Sequence, residues 1–144
     1  MKFRSQMLFI ASITFSSSLW AHSGATGIVK ERMDNFKESK ASMKSLKKAV
    51  RKNDFDTVAQ EAKAINQWAR KLTTYFPEGS NQHPSEALTL IWQEFDQFEI
   101  RAETQIKASE QLQKAGLRND AAGAAKAYSD LAKSCKACHN DYRE

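Results

Sequence analysis

Two thiols and an imidazole stand together near the end of the sequence: Cys135, Cys138 and His139, with only Lys136 and Ala137 between the thiols. On a helix, residues three and four apart project toward one side, so the three groups can address one flat partner. Each thiol can add across a vinyl group to give a thioether, and the imidazole Nε2 can then hold iron from below. That is covalent porphyrin attachment, with Cys135 and Cys138 as tethers and His139 as proximal ligand. Plainer chemistries for the same residues are a disulfide, a zinc site and a redox-active dithiol. The helical setting and the adjacent His argue against the disulfide. Zinc wants a fourth ligand, and the remaining histidines, His22 and His83, fall at the start of the mature chain and in a loop. A thioredoxin-like dithiol belongs with a βαβ pattern that is missing.

The motif lies on the last of four amphipathic patterns. From Ile28 to about Lys52, Val29, Phe36, Met43 and Val50 recur every seven residues, with Met33 and Leu46 on the same face. Asn53 and Asp54 offer a turn and an N-cap, after which Phe55, Val58, Ala62, Ile65, Ala69, Leu72 and Phe76 hold a 3-4 spacing without a break. Pro77 to Pro84 reads as the longest loop, with Ser85 able to cap the next helix. A third pattern runs from Leu88 through Ile91, Phe95, Phe98, Ala102, Ile106, Ser109 and Leu112 to Gly116, a natural left-handed helix end. The fourth begins near Asn119 or Asp120 and sets Ala125, Tyr128, Ala132, Cys135, His139 and Tyr142 on one stripe. Four such helices with short connections predict an all-α, antiparallel four-helix bundle. The inward face of the fourth is too small and too polar to fill its share of a core, so the porphyrin is expected beside this C-terminal helix.

The 144-residue chain is the size of one domain, and 41% hydrophobic with 27% charged residues is ordinary globular composition. Lys2 and Arg4 followed by the uncharged run Met7 to Trp20 read as a secretory signal peptide, residues 1–21, ahead of a bundle domain at 22–144. Cleavage is expected just after Ala21, with Ser23 or Ala25 as alternatives because Leu19 is large for a −3 residue. The run is too short for a comfortable membrane span, and no second candidate follows it. Removal of the leader leaves 20 basic against 17 acidic side chains (22 less Lys2 and Arg4). Basic and acidic residues alternate, as on a solvated helical face, and no basic block interleaved with aromatics suggests nucleic acid.

The C-terminal run Cys135 to Arg143, of the form Cys-x-x-Cys-His-x-x-Tyr-Arg, resembles the class II cytochromes c, which comprise cytochromes c′ and their low-spin relatives. The likeness extends to Val29-Lys30-Glu31-Arg32-Met33-Asp34, to Phe76-Pro77-Glu78-Gly79-Ser80 and to Ile91-Trp92, and so covers the mature chain. The resemblance implies one covalent haem c per chain, Arg32 approaching a haem propionate, and Phe36, four residues later, facing the open side of the iron. Phenyl cannot coordinate, so that register implies five-coordinate, high-spin iron. Met33, one turn before Phe36 on the same helix, is the alternative: its thioether would complete a six-coordinate, low-spin iron.

Three functions follow. The first is a periplasmic cytochrome c′-like protein whose apolar distal pocket takes NO or CO; the second is an electron carrier with Met33 as axial ligand and redox proteins as partners. The third is a haem-free helical protein acting by surface contact. No Ser/His/Asp set, phosphate-cradling loop or paired-carboxylate motif predicts a turnover enzyme. A homodimer, if formed, would use the outer faces of the first two helices, and Trp68 is expected as a core flank rather than an interface residue.

Overall fold

The dipeptides Asn53-Asp54 and Asn119-Asp120 do the same work at two corners. Each Asn takes a left-handed conformation, φ 54° and 55°, which a short polar side chain tolerates and which stops a helix. Backbone N–H groups then reach back into the finished helix, Asp54 to the Ala49 carbonyl and Asp120 to that of Ala115, both at 3.0 Å. Each Asp caps the helix that follows: the Asp54 carboxylate accepts from the Thr57 N–H and the Asp120 carboxylate from the Gly123 N–H. Two helical hairpins result.

The structure is a computed structural model that describes residues 24–144; the expected leader, residues 1–21, lies outside them. The long helices are α1 (Gly27–Lys52), α2 (Phe55–Ala69), α4 (Phe95–Leu117) and α5 (Ala121–Tyr142), with a one-turn helix α3 (Leu90–Gln93) ahead of α4. They form the four-helix bundle that the spacing predicts. Neighbours run antiparallel: Gly116 meets Ala59 and Phe55 across α2 and α4, while Asn66, one turn and more further along α2, meets Ile106 and Ser109. Among the described residues the only β pairing is one bridge, Ala87 to Arg143.

Three local expectations fail, each for a physical reason. The second pattern does not stay α-helical to Phe76: α2 ends at Ala69, and Leu72–Tyr75 is a 3-10 turn, tightened by Lys71 N–H donating to the Trp68 carbonyl at 2.9 Å. The apolar spacing survives because it reports which side is buried and not which hydrogen-bond ladder is used. Ser85 does not cap a helix. Its hydroxyl accepts from the Ala87 N–H at 3.1 Å and from the Arg32 guanidinium, and helix resumes only at Leu90, with a break at Glu94 (φ −136°) before α4. Gly116 does not end α4, which Asn119 terminates. A Cβ at Gly116 would sit 2.7 Å from the Ala59 nitrogen, so this glycine lets the backbones of α2 and α4 touch.

The interior has two parts. Leu46, Val58, Ala62, Ile65, Leu112 and Leu131 lead an aliphatic cluster toward the two hairpin turns. Trp68, Phe76, Ile91, Phe98 and Tyr142 form an aromatic one at the far end, with Phe36, Tyr75, Trp92 and Phe95 packed on it. At the join, the Asn66 amide donates to the Ile106 carbonyl and to the Ser109 hydroxyl, both at 3.0 Å, and its oxygen accepts from the Arg70 Nε at 2.9 Å.

Candidate functional site

The last helix presents a slightly different face from the expected one. Its buried line is Ala124, Ala127, Leu131, Ser134 and Tyr142, one residue ahead of the stripe through Ala125 and Ala132. Ala125 is exposed, and Cys135 and His139 lie at the margin of the buried line, half-buried and exposed respectively. Cys138, half-buried, falls on the line itself. The rotation splits the motif between the two cores: Cys135 packs on the aliphatic cluster and Cys138 on the aromatic one.

Across the groove between α1 and α5, the Phe36 ring stands 6.3 Å from the His139 ring, centroid to centroid, at 71°. Phe36 is fixed edge-on by Trp68 at 5.5 Å and Phe76 at 6.4 Å. Met33, on the preceding turn, is half-buried and joins neither apolar cluster.

Both thiols are unpaired. Burial pushes the Cys138 thiol up to about 11, helped by Cys135 and Asp141 and opposed by Arg101; burial raises Cys135 as well. Thiols held in the protonated form are poor nucleophiles and resist stray oxidation. Desolvation, then the Arg143 charge, hold the His139 imidazole below its ordinary value, which favours the neutral form that can ligate a metal. Among the described residues no three of His, Cys, Asp and Glu converge as ligands for a bare ion, so the thiols and His139 do not close a tetrahedral zinc site.

Arg32 is 2% exposed. Its guanidinium donates to the Tyr75 carbonyl at 3.3 Å, to the Ser80 hydroxyl at 2.7 Å, and to the Ser80 carbonyl and Ser85 hydroxyl, and it lies 4.4 Å over the Phe76 ring. All four acceptors are neutral, an unusual state for a buried cation. Trp68 is a core residue, 6% exposed, and its indole N–H is buried with no acceptor among the described residues. A haem would bring flat apolar faces and two carboxylates to a region that holds two unpaired thiols, an imidazole, a buried guanidinium bonded only to neutral groups and an orphaned N–H. The residues fit that group.

The residues after His139 are tied down one by one. Arg101 pairs with Asp141 at 2.7 Å, the Tyr142 hydroxyl donates to the Glu94 carboxylate at 2.8 Å, and Arg143 pairs with Glu86. The Leu88 N–H donates to the Tyr142 carbonyl and the Glu144 N–H to the Glu86 carbonyl, both at 3.0 Å. Sequence reading names Tyr142, Arg143, Ser80 and Ser85 but misses Glu86 and Glu94 and the contacts of Ser80 and Ser85 with Arg32, because partners 43 to 57 residues apart leave no periodicity to find.

Residues 27–143 match the family model described as Cytochrome C'. A cytochrome c′ of Pararhodospirillum photometricum is 33% identical over 87 residues, 60% of this chain and 70% of that protein. Cytochrome c-556 of Agrobacterium tumefaciens is 31% identical over 102 residues, 71% and 82% of the two chains. In fold, the crystal structure of cytochrome c′ from Thermochromatium tepidum superposes with a TM-score of 0.75 at 20% identity, covering 81% of this chain and 93% of the other.

Proposed function

The chain belongs to the cytochrome c′ family of haem proteins, and from that premise we propose that it is an exported, single-haem member whose five-coordinate iron takes a small diatomic gas such as NO or CO. The observation that carries this reading is the Phe36 ring facing His139 across the α1/α5 groove. A side chain with no donor atom stands opposite the candidate ligand, backed by Trp68 and Phe76, and such a wall repels water while admitting small neutral molecules.

Each residue then has a task. Cys135 and Cys138 tether the porphyrin through thioethers, His139 supplies the proximal nitrogen, and Arg32 offers a buried positive charge to a propionate. When bound, the haem supplies the iron that gas ligands or electrons reach. Phe36 keeps the opposite side apolar. The Glu86–Arg143, Glu94–Tyr142 and Arg101–Asp141 contacts hold the end of α5 so that the imidazole is presented at a fixed angle. The leader expected at residues 1–21 supports a periplasmic location, and among the described residues no helix is long and apolar enough to cross a membrane. A homodimer would use the polar groove of α1 and α2 lined by Asn35, Ser39, Ser42, Gln67 and Lys71.

The test is the spectrum and mass of the matured protein. A Soret band with a high-spin ferric spectrum, a shift on CO addition and a mass raised by one haem are expected. A low-spin spectrum with a methionine–iron charge-transfer band, abolished by Met33→Leu, would replace this reading with an electron carrier.

A further inference from the structure

Charge is unevenly placed on this bundle. Between Lys37 and Lys52, the last sixteen residues of α1, there are seven basic side chains and one acidic, Glu38, which leaves 15 basic against 16 acidic elsewhere (22 less seven, 17 less one). All seven are exposed, and none has an ion-pair partner among the described residues, unlike Lys30, Lys107, Lys114 and Lys126, which pair within their own helices. The alternation of sign that describes the chain as a whole therefore fails here.

The positions matter as much as the number. Lys37, Lys40, Lys44, Lys47 and Arg51 keep a 3-4 spacing and so share one side of α1, with Lys48 and Lys52 beside them. Lys40 is one turn after Phe36, which faces His139. Lys47 is one turn after Met43, which packs with Cys135 on the aliphatic cluster. The stripe thus starts at the α1 lip beside the candidate ligands, at Lys37 and Lys40, and continues toward the hairpin corner at Asn53, while Lys136, exposed and without an ion pair among the described residues, lies on α5 between the two thiols. Asn35, Ser39 and Ser42 line the α2 side of the helix, so the stripe is separate from the polar groove assigned to a dimer.

We propose that this stripe docks a partner protein presenting a concentrated acidic patch, and that docking sets the partner's surface against the exposed His139 edge of the α1/α5 groove. Seven uncompensated cations on one helix are costly to crowd together and are relieved by a complementary surface. An anionic bilayer would offer the same charge. It is disfavoured because the apolar residues of α1 (Phe36, Met43, Leu46, Val50) pack into the bundle, and among the described residues the exposed large apolar side chains, Leu90, Ile100 and Leu117, lie on α3 and α4, away from the stripe. The inference rests on the haem reading: an iron that takes CO in its reduced state would need electrons delivered at this groove, and a redox protein is the partner class that delivers them.

The holoprotein is titrated with a purified acidic flavodoxin, and affinity is followed against ionic strength, with amide NMR shifts mapping the contact. Affinity should fall steeply with salt, and Lys40→Glu, Lys44→Glu, Lys47→Glu together should weaken binding at low salt by about tenfold or more. The same change in net charge elsewhere, by Lys63→Glu, Lys107→Glu and Arg118→Glu, should leave it within about twofold, and shifts should centre on residues 37–52. Equal loss in both triple variants, loss in neither, or stripe-dependent binding to phosphatidylglycerol vesicles with no flavodoxin binding would each overturn the proposal. An intact Soret band in every variant keeps this outcome separate from a failure of the haem reading.

Discussion

The two ends of the bundle are built on different rules. Toward the hairpin turns, small and aliphatic side chains let helices approach closely, to the point that Gly116 rests on the α2 backbone, and the corners are closed by two matching Asn-Asp caps. Toward the other end the interior is aromatic, one helix gives way to a 3-10 turn, another is broken at Glu94, and polar contacts join segments far apart in sequence. Regular packing gives the first end its stability. The second end trades regularity for a cluster of rings that meets the imidazole of His139, and the Cys135–His139 motif sits across the boundary, one thiol on each core.

The largest effect that should separate the two ends is loss of attachment. In Cys135→Ser, Cys138→Ser, exported with the maturation machinery present, the haem mass should be missing, and hydrogen exchange should show amides around Trp68, Ile91 and Phe98 losing protection well before those around Val58 and Leu112. Uniform loss of protection would mean that the ends are one cooperative unit. Next, Leu112→Ala, at a fully buried aliphatic site, should cost about 3 kcal/mol in chemical denaturation while the Soret and ligand-bound spectra stay as in the parent. A spectral change there would erase the division of labour.

Gly116→Ala presses a methyl group against the Ala59 backbone and should cost about 2 kcal/mol, again with an unchanged spectrum. At the aromatic end, Tyr142→Phe removes the hydrogen bond to Glu94 and should cost about 1 kcal/mol, with a pH signature. Burial first, then the Glu94 contact, push the Tyr142 hydroxyl from an ordinary 10.0 up to about 12. A raised pKa means the neutral hydroxyl stabilises the fold fully below pH 10 and loses that contribution as pH climbs to about 12. Thermal melts across this window should fall more steeply for the parent than for the variant.

Legibility in the sequence follows the same division. Regular packing is periodic, so the four helices, the faces of the first two and the Asn-Asp corners could be read from spacing and cap chemistry, and the Cys-x-x-Cys-His run stands out by three scarce residue types in fixed order. What escaped reading was the irregular end. Leu72 and Phe76 continue an apolar rhythm that does not distinguish an α-helix from a 3-10 turn, and Ser85 has the composition of a cap but is drawn into the contacts around Arg32. The shift of the α5 face by one residue escaped as well. In a run of alanines and serines, neighbouring positions are nearly equal in apolarity, and packing against α1 and α4 decides which of them turns inward.

Asn66 has a consequence for how the two ends stay aligned. A helix studded with alanine can slide along its neighbour by a full turn, about 5.4 Å, and still meet apolar surface. With its amide engaged by one carbonyl and one hydroxyl of α4, such a slip would strand several buried polar groups at once. The side chain therefore works as an index pin. Swapping Asn66 and Ser109 for leucine and alanine would raise the melting temperature and blur the register in which Trp68, two residues along α2, is set against Phe36.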